Sequence, residues 1–498
     1  MDTSHICVLD VGNTNKKLQI FDAAYQIVHT RSAQFPERSE SELTLEPIEE
    51  IMDWFLEGLK EVSALFEIGA IAVSAHGGSF VCLDQTGSLS IPMLFNAHDP
   101  GPDFHARFYD KFGSADQFHI ETSTPPLPYL VCIGKGIAFA KEQFPEAFAQ
   151  TAHILGLPQY IGYRLTENLA LEKTYLGNHT YLWDFKKEEF SPFVDQLGIR
   201  HLLPKNILSP WDRLGTVTRA IADATGLSVE TIVIAGIHDS SSAFIPFSLM
   251  DEHPKILSSA GSMIVNMIAE DAPDINEDDL GKTIYYNNGA FSKLIKTVFF
   301  AGGIEFDLYR QLIQSIHNRD DIPPFNHDLC ELVLAEATQF ITPSITTMGM
   351  FPVGSSRAVE NGQFFGLDKL FMGETPAFFQ DYDRAFMVLN LSIAIHSKLS
   401  IEAIRRSPST PVYVEGGFHK NDSHTALLAA LLPNTQVLTT DVTEVTSLGA
   451  AILARAALAG KSPEKLTALP TIQQQEISCQ PLINLDRYLD RFLDFANS

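Results

Sequence analysis

Three short patterns in this 498-residue chain bring together side chains able to handle a phosphate, a metal ion or a proton. The first is Asp10-x-Gly12-Asn13-Thr14-x-x-Lys17, a carboxylate, a glycine, a hydroxyl and a cation within one turn-rich stretch. On a hairpin tip such a set can cradle a phosphate with backbone N–H groups and anchor a divalent cation on the carboxylate. An ordinary solvated hairpin has the same residue types. The second is His238-Asp239-Ser240-Ser241-Ser242-Ala243. Asp239 follows an apolar run at 231–235 and Gly236, which puts a carboxylate at the end of a strand, where α/β proteins bind ligands. It can serve as a general base or as a helix N-cap. His238, and His76-Gly77 after a similar apolar run, could orient a substrate or be structural. The third is Gly416-Gly417, Asn421 and Glu444-x-Thr446-x-Leu448-Gly449-Ala450-Ala451. It would let backbone approach a flat ligand and a helix pack closely, or form only a glycine-rich turn.

Other chemistries lack support. Gly281-Lys282-Thr283 and Gly460-Lys461-Ser462 miss the glycine that a Walker loop needs six residues before the lysine, and no G-x-S-x-G, H-E-x-x-H or G-x-G-x-x-G occurs. The five cysteines are scattered, with no C-x-x-C, against a disulfide framework or a zinc knuckle. A formal charge of −26 repels polyanions, so neither nucleic acid nor an anionic membrane is expected as a partner. With 45% hydrophobic residues the chain can fill large cores, and it has no apolar run long enough to span a bilayer. No basic stretch precedes the short apolar run Ile6 to Leu9, so no leader is expected and the cytoplasm is the expected compartment.

These residues need elements to hold them. Residues 5–11 and 17–21 read as a hairpin, 48–66 as an amphipathic helix, and 70–75 as a buried strand ending at His76. A second hairpin is expected from 80–83 and 91–95, and the proline-rich stretch 121–130 reads as a surface loop. From 231 the pattern restarts with a strand, the His238-Asp239 turn and a helix. Strands at 255–259 and 263–268 then flank Ala260-Gly261-Ser262. Helices are expected at 327–340, 384–405, 422–432 and 447–459, with a strand at 411–414. Strand pairs followed by helix and strand alternation, twice over, predict two α/β domains, 1–245 and 246–498.

The order of the motifs resembles the FGGY family of carbohydrate kinases. Asp10-x-Gly-x-Thr, His238-Asp239, Gly261-Ser262, Phe300-Ala301-Gly302-Gly303, Gly416-Gly417 and Glu444-x-Thr-x-Leu-Gly fall in sequence over about residues 5–459. The stretches His238 to Ala243, Leu257-Ser258-Ser259 and Val73 to Asp84 resemble the rhamnulokinase and fuculokinase branch. The resemblance implies two ribonuclease-H-like domains of the actin and hexokinase type around a cleft, and ATP-dependent phosphorylation of a ketose, deoxyketose or polyol. It implies Mg2+ at Asp10, with Gly12, Asn13, Thr14 and Lys17 at the transferring phosphate and Gly261 and Ser262 as a second phosphate loop. Gly302, Gly416, Gly417 and Asn421 would line the nucleotide pocket, Asp239 would be the base, and His76, Gly77, Asp99 and His238 would touch the sugar. Partners are then a sugar and ATP; a homodimer is left open. The chain departs from the pattern at Phe418, where the family has a third glycine, at Val388 in place of a glutamate, at Asn96 to Pro100, where an arginine is missing, and at Ser79 in place of an acid. Two other readings share the motifs: a nucleotide-dependent binding or regulatory protein, and an actin-like ATPase without a sugar acceptor.

Overall fold

The computed structural model describes residues 4–291, 293–345, 349–351, 354 and 356–497. Its frame is two seven-stranded sheets of the same local topology. In the N-terminal sheet His5–Val11 pairs antiparallel with Asn15–Phe21, which pairs with Ile27–Gln34. On its other side His5–Val11 runs parallel to Ile68–Ala75, which is in turn parallel to Ile232–Ile234. The C-terminal sheet repeats this. Ile256–Ala260 pairs antiparallel with Ile264–Glu270, which pairs with Leu294–Phe300, and runs parallel to Val412–Glu415 and then Val437–Thr440. The central strands are apolar almost throughout because helices cover both faces of a parallel sheet. The expected doubling of an α/β unit is therefore present.

The covering helices do not keep to one half of the sequence each. Val445–Leu458 packs on His5–Val11 and Ile68–Ala75, so Ile452 shares a core with Ile6, Val8, Ala70 and Ala72. Asp239–Ser248 crosses that helix, and the crossing is close. A Cβ at Gly449 would lie 1.9 Å from the Ser242 carbonyl oxygen. Beneath the C-terminal sheet runs Tyr382–Ile404, with Val388 fully buried. Its mean hydropathy of 1.3 and its length would suffice to cross a membrane, but 78% of the apolar stretch is buried inside the protein as a core helix.

Several expected elements differ. Phe80–Leu83 pairs with His153–Gly156 instead of 91–95, and the turn after it closes through a Leu83 to Leu89 bridge and the Asp84 carboxylate, which accepts the Thr86 and Ser88 N–H groups. Pro92 removes a ladder donor from the expected return strand. The proline-rich segment is not a surface loop: Ser123, Thr124, Leu127 and Leu130 are buried, and Ser123 Oγ accepts the Tyr286 N–H from the C-terminal sheet at 2.8 Å. The helix expected at 327–340 ends at Glu336, and Gln339–Thr342 is a strand. Gly302–His317 is a helix that its mixed surface pattern did not announce.

Buried ionisable groups tie this core to pH. Burial pushes the carboxyls of Glu172, Glu305 and Glu415 up to about 8, about 7 and about 7. It holds the imidazoles of His396 and His424 down to about 3 and about 4. An acid whose folded pKa is raised ionises first in the unfolded chain, so each glutamate removes stability as pH climbs from about 4.5 toward its folded value. The histidines act below about 6.5, where only the unfolded imidazole takes up a proton.

Two outcomes are expected. Gly449→Ala should destabilise by about 1–3 kcal/mol, because the added carbon forces two helices apart, and lower the Tm in scanning calorimetry; an unchanged Tm would mean that the crossing yields freely. Between pH of about 6.5 and 8 the glutamates act unopposed by the histidines, so the Tm should fall across that interval. A Tm that rises there would contradict the burial of these groups.

Candidate active site

The register of three neighbouring strands assembles the first half of the site. Asp10 lies opposite Ser74, and His238 lies opposite Ala75 on the other side of the same strand. Asp10, His76 and Asp239 therefore emerge together at one edge of the N-terminal sheet. Burial and the charges of Asp239 and Glu444 push the Asp10 carboxyl up to about 7, against the pull of Lys17. Burial also raises the Asp239 carboxyl, which the Ser240 N–H at 2.5 Å works against. His238 Nε2 stands 3.0 Å from Asp239 Oδ1, and its backbone N–H donates to Thr174 Oγ1 at 3.1 Å. Thr174 Oγ1 in turn donates to the buried Glu172 at 2.8 Å, so a hydrogen-bond chain from the core fixes the turn before Asp239.

The hairpin tip Gly12, Asn13 and Thr14 is half-buried to exposed, with the Gly12 N–H donating to the Asn15 carbonyl at 3.0 Å. Lys17 is not idle: its Nζ donates to both oxygens of Glu444, at 2.8 and 2.7 Å, joining the tip to the start of the helix Val445–Leu458. His76 is buried, its Nδ1 lying 3.1 Å from the Gly77 carbonyl and 3.3 Å from Asn96 Nδ2. Burial holds its pKa down to about 4. Asn96 also donates to the Gly77 carbonyl at 3.1 Å, so it ties the His76 turn together at the place where the pattern would put an arginine nearby. Tyr175 Oη donates to the His76 and Ser79 carbonyls, which explains how Ser79 is held. Asp99 stands apart: it is exposed, and its carboxylate caps its own turn through the Gly101 N–H at 2.9 Å.

The second half of the site is a cleft of about 580 Å³ on the C-terminal sheet, lined among others by Gly261, Ser262, Gly303, Phe306, Gly417, Phe418 and Asn421. Gly416 turns the chain at φ of +88°, and a Cβ there would meet the Ala260 carbonyl oxygen at 2.6 Å, so only glycine fits. Gly302 faces away from the cleft, toward Ile264 and Phe300, and Gly303 takes the lining position. Asn421 is spent on structure: its Oδ1 accepts the His424 N–H at 3.2 Å and its Nδ2 donates to Asn390 at 2.8 Å. Phe418 packs edge-on against Phe306, ring centroids 5.1 Å apart, and forms part of the wall.

The structure thus gathers Asp10, Lys17, His76, Gly77, His238 and Asp239 at one sheet edge. Gly261, Ser262, Gly416, Gly417 and Asn421 gather around the neighbouring cleft. It adds Asn96, Glu444, Gly303 and Thr174. Of these Glu444 and Gly303 belonged to a visible pattern and Asn96 to a stretch that departs from it, whereas Thr174 is an isolated polar residue whose spacing carries no signal. Among the described residues no set of three or more His, Cys, Asp or Glu side chains is arranged to hold a metal ion.

Comparison with known proteins places the chain in one family. Residues 5–246 match the N-terminal domain of the FGGY family of carbohydrate kinases, and residues 252–463 match the family's C-terminal domain. The chain is 24% identical over 471 residues to the xylulose kinase of Bacillus subtilis, covering 91% of this chain and 86% of that one. It is 26% identical over 237 residues to a rhamnulokinase of Pectobacterium carotovorum, covering 47% of this chain and 46% of that one. A carbohydrate kinase structure from Novosphingobium aromaticivorans superposes with a TM-score of 0.79 at 22% identity, covering 100% and 99% of the two chains. The two domain matches together span most of the chain, which belongs to the FGGY family and is an ATP-dependent carbohydrate kinase.

Proposed function

We propose that the chain phosphorylates a hydroxyl of a small ketose, deoxyketose or polyol, with Asp239 as the general base and the nucleotide's phosphates at the Asp10 hairpin. Residues 1–245 would supply the sugar and phosphate side, and 246–498 the nucleotide side. The observation that carries this reading is the pairing of two half-buried carboxylates on one sheet edge, each raised by desolvation, with the charge of Asp239 acting on Asp10. A carboxyl moved upward by burial is a better proton acceptor near neutral pH than a solvated one. The hydrogen-bond chain from Glu172 through Thr174 to His238 holds it in place.

Phosphoryl transfer asks a protein mainly to position and to neutralise charge. The Gly12 to Thr14 tip offers a hydroxyl and backbone N–H groups, and Lys17 offers a cation once it exchanges Glu444 for phosphate. Gly261, Ser262, Gly303 and Gly417 line a cleft open enough for a nucleotide. Mg2+ suits the surroundings of Asp10, a half-buried carboxylate beside two further acids with Lys17 the cation acting on it. Asp10 would be its protein anchor, the other ligands being phosphate oxygens and water, and the ion would supply neutralisation of phosphate charge.

Asp239→Asn should fold and bind nucleotide but lose about 10²-fold or more of sugar-dependent ADP release, because the amide keeps the shape and cannot take the proton. Retention of more than about a tenth of the turnover would remove Asp239 from that role. The same assay separates the readings: sugar-stimulated turnover supports the kinase, steady hydrolysis without sugar an ATPase, and neither a binding protein. Asp10→Ala should weaken the magnesium-dependent part of nucleotide binding in calorimetry. Equal enhancement by magnesium in the variant and the wild type would place the metal elsewhere.

A further inference from the structure

The acceptor end of the site holds unmet hydrogen-bonding capacity that no motif announced. Asn178 is 1% exposed, yet neither its amide nitrogen nor its amide oxygen has a hydrogen-bond partner. A buried amide without partners costs stability, so this side chain is not explained by the fold. Its position is marked by Gly77: a Cβ built there would lie 2.2 Å from Asn178 Nδ2 and 3.3 Å from His238 Nε2. Asn178, His238 and the His76-Gly77 turn therefore converge, and His76 Nε2 is buried without a partner as well.

The next residue adds a second observation. His179 has a backbone φ of +52°, in the left-handed region that a side chain disfavours, and its Nδ1 is buried without a partner. Strain of this kind persists where surrounding structure enforces it, and it concentrates at functional sites. The His179 ring packs against Tyr285, centroids 4.5 Å apart, and stands edge-on to Phe299 at 6.0 Å and to His238 at 6.4 Å. Tyr285 and Phe299 come from the C-terminal sheet, so the ring sits between the two halves of the chain beside the Asp239 turn.

The charge of the surroundings narrows the ligand. Burial holds His76, His179 and His238 down to about 4, about 3 and about 3, so all three rings are neutral at physiological pH and each offers a donor and an acceptor. The neighbouring cations are engaged, Lys16 with Glu46 at 3.2 Å and Lys17 with Glu444 at 2.7 Å. A carboxylated sugar would meet two aspartates and neutral rings, whereas hydroxyl groups match the donors and acceptors present.

We propose that Asn178 and His179 are specificity determinants of the acceptor site, hydrogen-bonding hydroxyl groups of an uncharged ketose or polyol, and that the site rejects sugar acids. The proposal rests on the reading in which Asp239 faces the sugar. ADP release is measured with D-xylulose, L-rhamnulose, ribitol and gluconate. Wild type should use at least one neutral compound, with kcat/KM for gluconate at least about 100-fold lower. For the best neutral substrate, Asn178→Ala and His179→Ala should each raise the sugar KM about five-fold or more, as loss of a neutral hydrogen bond implies, with the ATP KM within about two-fold. His179→Asn, which keeps a polar atom near the Nδ1 position, should recover part of the loss. A purely structural role would instead lower the Tm and leave the sugar KM unchanged. If Asn178→Ala does not fold, His179→Ala and His179→Asn decide alone. Unchanged sugar KM in the folded variants, with wild type active, overturns the proposal and leaves Asp239 untouched. A preference for gluconate overturns the substrate class. No sugar-stimulated ADP release from wild type with any compound sinks the Asp239 reading, and this proposal with it.

Discussion

The register of Ile68–Ala75 between its two parallel neighbours is the constraint on which the site depends. It sets Asp10 against Ser74 and His238 against Ala75, so that the residues after each strand, His76 and Asp239 among them, leave the sheet at the same level. A slip of one residue would turn every side chain of a strand to the opposite face and carry the carboxylates apart. That register is strongly specified because both faces of the strand are covered, leaving Ile71, Ala72, Val73 and Ser74 without solvent access.

The second requirement is that the N-terminal sheet be covered by an element from the far half of the chain. The helix Val445–Leu458 does this by covering the N-terminal sheet while its first turn meets the hairpin tip through Glu444 and Lys17. The same helix touches the Asp239 helix through Gly449, and Ser242 Oγ donates to the Thr446 carbonyl at 2.7 Å.

Electrostatics gives the site its character. The site carboxylates are half-buried beside a lysine already paired with Glu444, and the imidazoles of His76 and His238 are buried deeply enough to stay neutral. An isolated buried charge is expensive, so such groups shift toward their neutral forms. A site built in this way carries little uncompensated positive charge and is rich in neutral donors and acceptors.

Much of this was legible in the sequence, because it depended on local pattern. Short apolar runs ending in Asp10, His76 and Asp239 predicted strand ends, the Gly416-Gly417 pair marked a backbone turn, and the repetition of strand, turn and strand announced two units of one kind. Local pattern could not say which distant segments would meet. The sequence could not pair Phe80–Leu83 with His153–Gly156 or bury the proline-rich segment against Tyr286. Nor could it give the N-terminal sheet a helix from near the far end of the chain. Nor could it separate Gly302, packed on Phe300, from Gly303, which lines the cleft, since that choice rests on the direction of one helical turn. Asn96, Asn178 and His179 are single polar residues outside any periodicity, and their surroundings come from segments far away in the chain. Residue types and their order along the chain determined the chemistry available. Tertiary structure alone decided which groups share a space, because burial and orientation come from contacts between residues that have no relation in sequence.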